Sequence, residues 1–285
     1  MLAFITVADT GSFSVAADKL HLTQPAISKR ISALEASLQA SLFDRIGRRI
    51  LLTEAGALLL PRARNILLEV RDTATSIHNL SAGISGRLSM ASSHHIGLHR
   101  LPPVLKEYTK RYPQVSIDIS FLDSEEAYQQ VLHGDIELAV VTLSLQAVDR
   151  IERRVLWSDP LSFMASRDHP LAHLDAIGLK ELLNYPSILP SENTFTRQLV
   201  ERIFSARKFK LEIEMSTNYL ETIRMMVSIG MAWSVLPDTM LDDTLIALPV
   251  RNVRLNRELG YIYHRDHTLT NAAMAFIEAL ELNKV

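Results

Sequence analysis

A short polar and basic segment carries the side chains with the clearest chemistry in this sequence. Residues 23–30 are Thr-Gln-Pro-Ala-Ile-Ser-Lys-Arg. Threonine is a good helix N-cap and proline suits the first turn, so the segment predicts the start of a helix. The outward face of its first turns comprises Thr23, Gln24, Pro25, Ala26, Ser28, Lys29 and Arg30.

DNA is the ligand that this set of side chains suits. A glutamine amide can pair with adenine, a small alanine or proline can contact the methyl group of thymine, and lysine or arginine reaches phosphate or guanine. Recognition helices place their N-terminal residues in the major groove. Spacing alone leaves a second interpretation open, an amphipathic helical pair with a solvated polar face.

Two short helices joined by a tight turn would position these side chains. The pattern predicts one helix over 14–20 and a second over 25–38, divided at His21 and Leu22. The first helix is small or apolar on one side, so the two can pack closely. The inward residues are Ala16, Ala17 and Leu20 on the first helix and Ile27, Ile31 and Leu34 on the second.

Composition places the chain among globular proteins with an uneven charge distribution. With 285 residues and 47% apolar side chains, the chain suits two folded domains. The net charge is only -2, but residues 19–49 hold six basic and two acidic side chains, so a polyanion can dock there. The absence of cysteine excludes disulfides, thiolate metal sites and cysteine nucleophiles, and it fits a reducing cytoplasm. No stretch is long enough to span a bilayer, so no membrane partner is predicted.

The periodicity of apolar residues changes near residue 86. Before it, the pattern predicts helices over 2–8, 14–20, 25–38 and 53–79, with no strand. Serine and glycine cluster over 81–86 and indicate a linker. Beyond the linker, short apolar strands alternate with helices, which indicates an α/β domain. The predicted strands are 88–91, 115–121, 138–142, 161–165, 187–189, 211–215 and 232–236.

Motifs along nearly the whole chain resemble the LysR-type family of transcriptional regulators. In the N-terminal part they are Ala16-Ala17, Gln-Pro-Ala-Ile-Ser at 24–28, Leu34-Glu35, Leu-Phe-Asp-Arg at 42–45 and Leu-Thr-Glu-Ala-Gly at 52–56. In the C-terminal part they are Leu-His-Gly-Asp-Ile-Glu-Leu-Ala at 132–139, Gly-Met-Ala at 230–232 and Leu236-Pro237.

The resemblance implies a winged helix-turn-helix and a linker helix, followed by an α/β effector domain of two subdomains like a periplasmic binding protein. It also implies that Arg45, Arg48 and Arg49, with Gly47, form the wing beside the recognition helix. A solvated basic loop is the alternative for these arginines. The implied boundaries are 1–52 for DNA binding, 53–86 for the linker helix and hinge, and 87–285 for the effector domain, with subdomain I over 87–160 and 266–285 and subdomain II over 161–265.

The linker helix is the dimerisation element in the resembled family. Its apolar face is too broad to leave in water, although packing on its own domain is the alternative. Pro61 predicts a kink. The residues of this face are Leu58, Ile66, Leu67 and Val70.

The sequence departs from the resembled family in two places. Gln39 stands after a helix end where the family usually has glycine, and a left-handed backbone conformation would strain a glutamine there. The chain also begins several residues later than family members commonly do. We therefore expect a shortened first helix or an internally assigned start.

Four polar corners of the α/β domain predict a small-molecule site. Open α/β sheets bind ligands beyond the carboxyl ends of their strands, where helix N-termini offer free amides. The corners lie at 92–95, 142–144, 193–196 and 217–219, and the first matches the hydroxyl-rich effector corner of the LysR family. A carboxylate or phosphate could bind at the first corner. Helix capping is the alternative for each residue, but as a set they are the better candidate pocket. The candidates are Ser92, Ser93, His94, His95, Thr142, Leu143, Thr194, Phe195, Thr196, Asn218 and Tyr219.

Metal binding and catalysis are the alternatives from other classes. His95 and His99 stand four residues apart and admit a metal or pH-responsive site, but no third ligand lies at suitable spacing nearby, so neither a metal nor a cofactor is predicted. The chain has no glycine-rich phosphate loop, no Gly-x-Ser-x-Gly and no His-Glu-x-x-His motif, which disfavours an enzyme. A ligand-binding α/β protein with weak or lost DNA binding remains as an alternative.

The sequence therefore predicts a bacterial, cytoplasmic transcription regulator. As a homodimer or homotetramer it would place paired recognition helices on an interrupted inverted repeat in double-stranded promoter DNA. A small-molecule effector, with an anion as one option, would change the angle between the subdomains. That change would alter contacts with the promoter or with RNA polymerase.

Overall fold

The computed structural model divides into two compact units, Met1–Ser81 and Ala82–Val285, here called the N-terminal unit and the C-terminal unit. It describes the backbone of residues 1–46, 49–81 and 83–284. Side chains are described for all of these except 45, 46, 49 and 81. Within the described residues, no helix is long and apolar enough to cross a membrane.

Within the described residues, the N-terminal unit has four helices and one antiparallel pair of short strands, here called the hairpin. Its core is formed by side chains from the first three helices together with Leu42 and Ala63. The hairpin departs from the sequence prediction of helices alone, because four-residue strands are too short to show an alternating pattern. The elements are α1 (Leu2–Thr10), α2 (Phe13–Lys19), α3 (Gln24–Leu38), β1 (Phe43–Ile46), β2 (Arg49–Leu52) and α4 (Glu54–Ser81).

Helix α3 ends with a residue in the left-handed backbone conformation, which is strained for a residue other than glycine. Gln39 has φ +51° and ψ +34°, and the amide of Ala40 donates to the carbonyl of Glu35 at 3.2 Å. This is the helix-ending arrangement that glycine adopts without penalty. The turn therefore keeps its shape in spite of the glutamine.

Replacing Gln39 by glycine is expected to stabilise the end of α3 by about 1 kcal/mol, because glycine removes the Cβ strain of the left-handed conformation. Slower hydrogen exchange of the amides in the last two turns of α3 would show it. Gln39→Ala is the matched control, since it removes the same side chain but keeps the Cβ. Equal exchange in both variants would contradict the explanation.

Helix α4 follows the hairpin and runs unbroken through Pro61. Gly56 in its first turn is required by close packing, since a Cβ there would lie 2.2 Å from the carbonyl oxygen of Leu42. Farther along, Arg64 forms an ion pair with Asp9 of α1, while Leu67 is half-buried. The kink at Pro61 stays a prediction. The large apolar side chains that α4 exposes are Leu58, Ile66, Val70, Ile77 and Leu80.

The C-terminal unit is built on a seven-stranded mixed sheet with helices on both sides. The strand order is β10-β6-β11-β5-β3-β4, and β9 also pairs with β6. A separate parallel pair is formed by β7 and β8. The elements are β3 (Gly86–Ser92), α5 (His94–His99), α6 (Leu101–Arg111), β4 (Val115–Phe121), α7 (Ser124–Leu132), β5 (Leu138–Thr142), β6 (Ile151–Ser166), α8 (Leu179–Leu182), β7 (Ile188–Leu189), α9 (Phe195–Ser205), β8 (Met215–Ser216), α10 (Leu220–Ser228), β9 (Ser234–Pro237), β10 (Leu245–Ala247), β11 (Leu255–His264) and α11 (Asn271–Leu282).

The C-terminal unit has two halves: the first contains β3, β4, β5, α5, α6, α7 and α11, and the second contains β7 to β10 and α8 to α10. Two long antiparallel strands, β6 and β11, pass through both halves. Trp157 and Leu259 pack in the core of the first half, whereas Leu161 and Leu255 pack in the core of the second. This arrangement differs from the predicted subdomain boundary, which assigns all of 161–265 to the second half. The end of β11 pairs with β5 from Leu259 onward, so it lies in the first half.

A β-bulge interrupts the pairing of β6 with β11. Leu259 pairs with Trp157 and Gly260 pairs with Val155, so Leu156 is an extra residue on β6. A Cβ at Gly260 would lie 1.9 Å from the carbonyl oxygen of Arg154. Glycine is therefore required for the close approach of the two strands.

Candidate DNA-binding face and effector cleft

The first turns of α3 present a polar and basic face to solvent. Thr23, Gln24, Pro25, Lys29 and Arg30 are exposed. The Oγ1 of Thr23 accepts the amide of Ala26 at 3.4 Å, which confirms the predicted N-cap. The amide group of Gln24 donates to the hydroxyl of Ser28 at 3.4 Å. Ala26 and Ser28 are half-buried.

The opposite side of α3 fixes the direction in which this face points. Ile27 and Ile31 are buried against Ala16 and Ala17 of α2. His21, with φ +52°, makes the tight turn between the two helices. The predicted helix-turn-helix is therefore present, with its polar face turned away from the core.

The predicted wing falls partly outside the described residues. Strands β1 and β2 pair with Phe43 opposite Leu52 and Arg45 opposite Ile50. Arg48 lies outside the described residues, as do the side chains of Arg45 and Arg49. Their contact with DNA stays a prediction.

The four predicted corners of the C-terminal unit meet at one cleft between its halves. The cleft holds a cavity of about 60 Å³. Seven of the eleven predicted residues line it, because the strand ends and helix starts that carry them converge there. These seven are Ser93, His94, His95, Thr142, Thr194, Thr196 and Asn218.

The other four predicted residues have structural roles beside the cleft. Ser92 is fully buried and its hydroxyl donates to the carbonyl of Val140 at 3.0 Å. Leu143 is buried in the core of the first half. The ring of Phe195 packs edge-on against Tyr128. Tyr219 is exposed and packs against His94 with ring centroids 4.9 Å apart.

Six residues of the cavity wall were not predicted from the sequence. Three of them begin α7, and their acidic and hydroxyl side chains have the pattern of an ordinary helix start. Arg257 lies on β11, a strand that the sequence did not predict. The six are Asp123, Ser124, Glu125, Pro190, Leu220 and Arg257.

Four helices, α5, α7, α9 and α10, begin at the cavity wall. Helix N-termini favour negative groups, and one carboxylate of the first half occupies such a position across the cleft, while a second bonds to a side chain there. Glu125 accepts the amide of Phe195, the first residue of α9, at 2.5 Å. Asp123 accepts the side-chain amide of Asn218 at 2.6 Å. These two contacts hold the halves together. Burial raises the pKa of Glu125 in spite of the Phe195 hydrogen bond, and the charge of Asp123 adds to the shift.

A buried ion pair forms the floor of the cleft. The Nε of Arg257 donates to Asp159 at 2.6 Å, and its Nη1 donates to the hydroxyl of Thr196 at 3.1 Å. Both charged side chains are almost fully buried. The pair lies where β6 and β11 pass from one half to the other, so it joins both strands to the start of α9.

His95 is buried beside this pair. Burial, followed by the positive charge of Arg257, lowers the pKa of His95 to about 4. Its imidazole is therefore neutral at physiological pH.

Two family models together match almost the entire chain. The model "LysR substrate binding domain" matches residues 81–283. The model "Bacterial regulatory helix-turn-helix protein, lysR family" matches residues 1–57. The chain belongs to the LysR family. It is a LysR-type transcription regulator with a helix-turn-helix domain and an effector-binding domain.

Relatives of this LysR-family chain include the transcriptional activator CmpR of Synechocystis. The two are 30% identical over 282 residues, which cover 97% of this chain and 92% of CmpR. Full-length CbnR complexed with its target DNA has a TM-score of 0.61 at 21% identity and covers 99% of this chain and 97% of that one. The effector-binding domain of QuiR with shikimate has a TM-score of 0.63 at 18% identity, over 70% of this chain and 97% of that domain. The two solved structures show that the fold is shared.

Proposed function

We propose that this LysR-family regulator recognises double-stranded promoter DNA with the first turns of α3, as an oligomer assembled on α4, under the control of a small effector in the cleft. The exposed polar and basic face of α3 carries the proposal, because its opposite side is fixed in the core. CbnR, whose fold this chain shares, has been solved on its target DNA. We keep 1–52, 53–86 and 87–285 as the functional divisions.

Individual residues of this face have different tasks in the proposal. Gln24 pairs with a base edge, Ala26 and Pro25 contact thymine methyl groups, and Arg30 and Lys29 reach phosphate or guanine. The hydroxyls of Thr23 and Ser28 add polar contacts. The arginines of the wing at 45, 48 and 49 contact the backbone beside the groove.

Dimerisation uses the apolar stripe of α4. Ile66, Val70, Ile77 and Leu80 are exposed and separated by four, seven and three residues, so they lie on one side of the helix. A second copy of α4 is the partner with a matching stripe. A symmetric pair of recognition helices then requires an inverted repeat in the DNA.

The effector is a small polar molecule with an anionic group. Typical ligand pockets enclose roughly 300–1,000 Å³, so the cleft must open to admit a metabolite. We infer that the effector anion takes the place of the Glu125 carboxylate at the start of α9. The domain of QuiR, with the same fold, contains shikimate in its structure. Because the Glu125 contact holds the halves together, its replacement changes the angle between them.

We assign no catalytic step to the chain and place it in the cytoplasm, where promoter DNA is accessible. The relative CmpR is a transcriptional activator. Binding and a change of shape suffice for regulation of this kind.

The test is binding to the DNA that flanks the gene, compared with scrambled DNA over a series of salt concentrations. Gln24→Ala is expected to weaken binding to the flanking DNA about 10- to 100-fold, because it removes a base contact worth about 1–3 kcal/mol. Arg30→Ala is expected to weaken binding to both DNAs and to reduce the salt slope by about 1, if Arg30 contacts phosphate.

Arg251→Ala is the matched control, since Arg251 is an exposed arginine of the C-terminal unit. Its affinity should equal that of the wild type. Equal binding by the wild type and by the Gln24 and Arg30 variants would contradict the assignment of α3. The same assay then tests the effector, since a carboxylate or phosphate that acts through the cleft should shift DNA affinity by about 5- to 150-fold. Glu125→Gln should change that shift, and an unchanged shift would contradict the role of Glu125.

A further inference from the structure

Three potential metal ligands meet at the edge of the cleft. His95 and His99 lie one turn apart on α5, and Glu221 lies in the first turn of α10 in the other half. The Oε1 of Glu221 is 3.6 Å from the Nδ1 of His95 and 3.3 Å from the Nε2 of His99. The ligand atoms of all three residues lie within 4.8 Å of one another. The sequence showed only the two histidines, because Glu221 is far along the chain.

The two separations from the Glu221 oxygen are close to the edge of a tetrahedral transition-metal site. Ligand atoms about 2.0–2.1 Å from a zinc ion occupy the corners of a tetrahedron whose edges are about 3.3–3.4 Å. Both measured distances from the Glu221 oxygen are within a few tenths of an ångström of that edge. Two imidazoles and one carboxylate form a common zinc ligand set.

The state of His95 also points to a ligand. Its side chain is 7% exposed, and its Nδ1 has no hydrogen-bond partner among the described residues although it faces the Glu221 carboxylate. A buried imidazole nitrogen without a partner carries a desolvation cost that a metal ion would remove.

The carboxylate of Glu221 is also accessible to a metal ion. Glu221 is 38% exposed, and its Oε1 is hydrogen-bonded to the Nε2 of His99 at 3.3 Å. One anionic and two neutral ligands suit a divalent cation.

We propose that His95, His99 and Glu221 form a zinc-type metal site that joins the two halves of the cleft. The ion would tie α5 to the start of α10, and both helices contribute residues to the cavity wall. Three protein ligands leave one position of a tetrahedral ion for water or for an anionic ligand. Metal binding would therefore favour the closed arrangement of the halves.

The experiment is a Zn²⁺ titration of the full-length, tag-free protein after removal of metals by a chelator. Calorimetry is expected to give one ion per chain for the wild type, and bound Co²⁺ is expected to show the ligand-field spectrum of four-coordination. His99→Ala and Glu221→Gln should each weaken Zn²⁺ binding about 10-fold or more, because each removes a ligand. Both residues are partly exposed, so both variants should fold.

His173→Ala is the matched control, because His173 is an exposed histidine outside this cluster. It should bind Zn²⁺ as the wild type does. Absence of stoichiometric binding in the wild type, or binding that survives both His99→Ala and Glu221→Gln, would overturn the site. The assay contains no DNA, so its failure would leave the proposed recognition of promoters untouched.

Discussion

Replacing Arg257 by methionine is expected to destabilise the C-terminal unit by about 3–5 kcal/mol, the usual cost of breaking a buried ion pair from one side. The substitution leaves the carboxylate of Asp159 buried without its counter-charge, and it removes the hydrogen bond to Thr196. Urea unfolding followed by tryptophan fluorescence measures the effect. Both tryptophans of the chain, Trp157 and Trp233, lie in this unit, so the signal reports on it alone.

The double variant Arg257→Met with Asp159→Leu is the decisive comparison. Replacing both charges by apolar side chains of similar size removes the unpaired carboxylate, so most of the lost stability should return. A single variant as stable as the wild type would contradict the claim that the pair is buried and coupled. A double variant no more stable than the single one would show that packing, and not charge, dominates at this position.

Replacing Gly260 by alanine is expected to cost about 3 kcal/mol or more, which is at the upper end of the range for overpacking. The new Cβ would lie 1.9 Å from the carbonyl oxygen of Arg154, and that atom belongs to backbone, which cannot rotate away. The two strands must separate at the bulge to relieve the clash. The same fluorescence-detected unfolding gives the magnitude.

Gly83→Ala provides the control for the loss of glycine itself. A Cβ at Gly83 would meet nothing within 4 Å, so the stability should change by less than about 1 kcal/mol. If Gly260→Ala were equally well tolerated, the bulge would have to relax more easily than its contacts indicate.

Local patterns predicted most of the fold correctly. Strands β4 and β5 begin and end at the predicted residues, because each is a short apolar run bounded by turns. Strand β11 was missed because Arg257 and Glu258 interrupt its apolar pattern, and the partner that neutralises the arginine lies on β6. The strand predicted over 211–215 was wrong. Leu211 and Ile213 are half-buried against the core of the second half, but regular pairing begins only at Met215.

The cleft was predictable to the extent that its residues follow strand ends. The four polar corners were found in this way, since each is a group of polar residues between a predicted strand and the next loop or helix. The contacts across the cleft were not predictable. Glu125 contacts Phe195, and His95 lies beside Glu221. The partners in each pair are far apart in the sequence and come together only in the folded unit.

The two crossing strands determine what kind of motion the cleft can make. Strands β6 and β11 form a hydrogen-bonded ladder from Leu161 opposite Leu255 to Ile151 opposite His264. Unlike a flexible loop, such a ribbon cannot swivel freely without breaking its backbone hydrogen bonds, whereas bending and torsion leave the ladder intact. We therefore expect the two halves to rotate through a narrow angle with an elastic restoring force. Any torsion that an effector imposes at one end of the ribbon would be transmitted through its hydrogen bonds to the sheet of the first half.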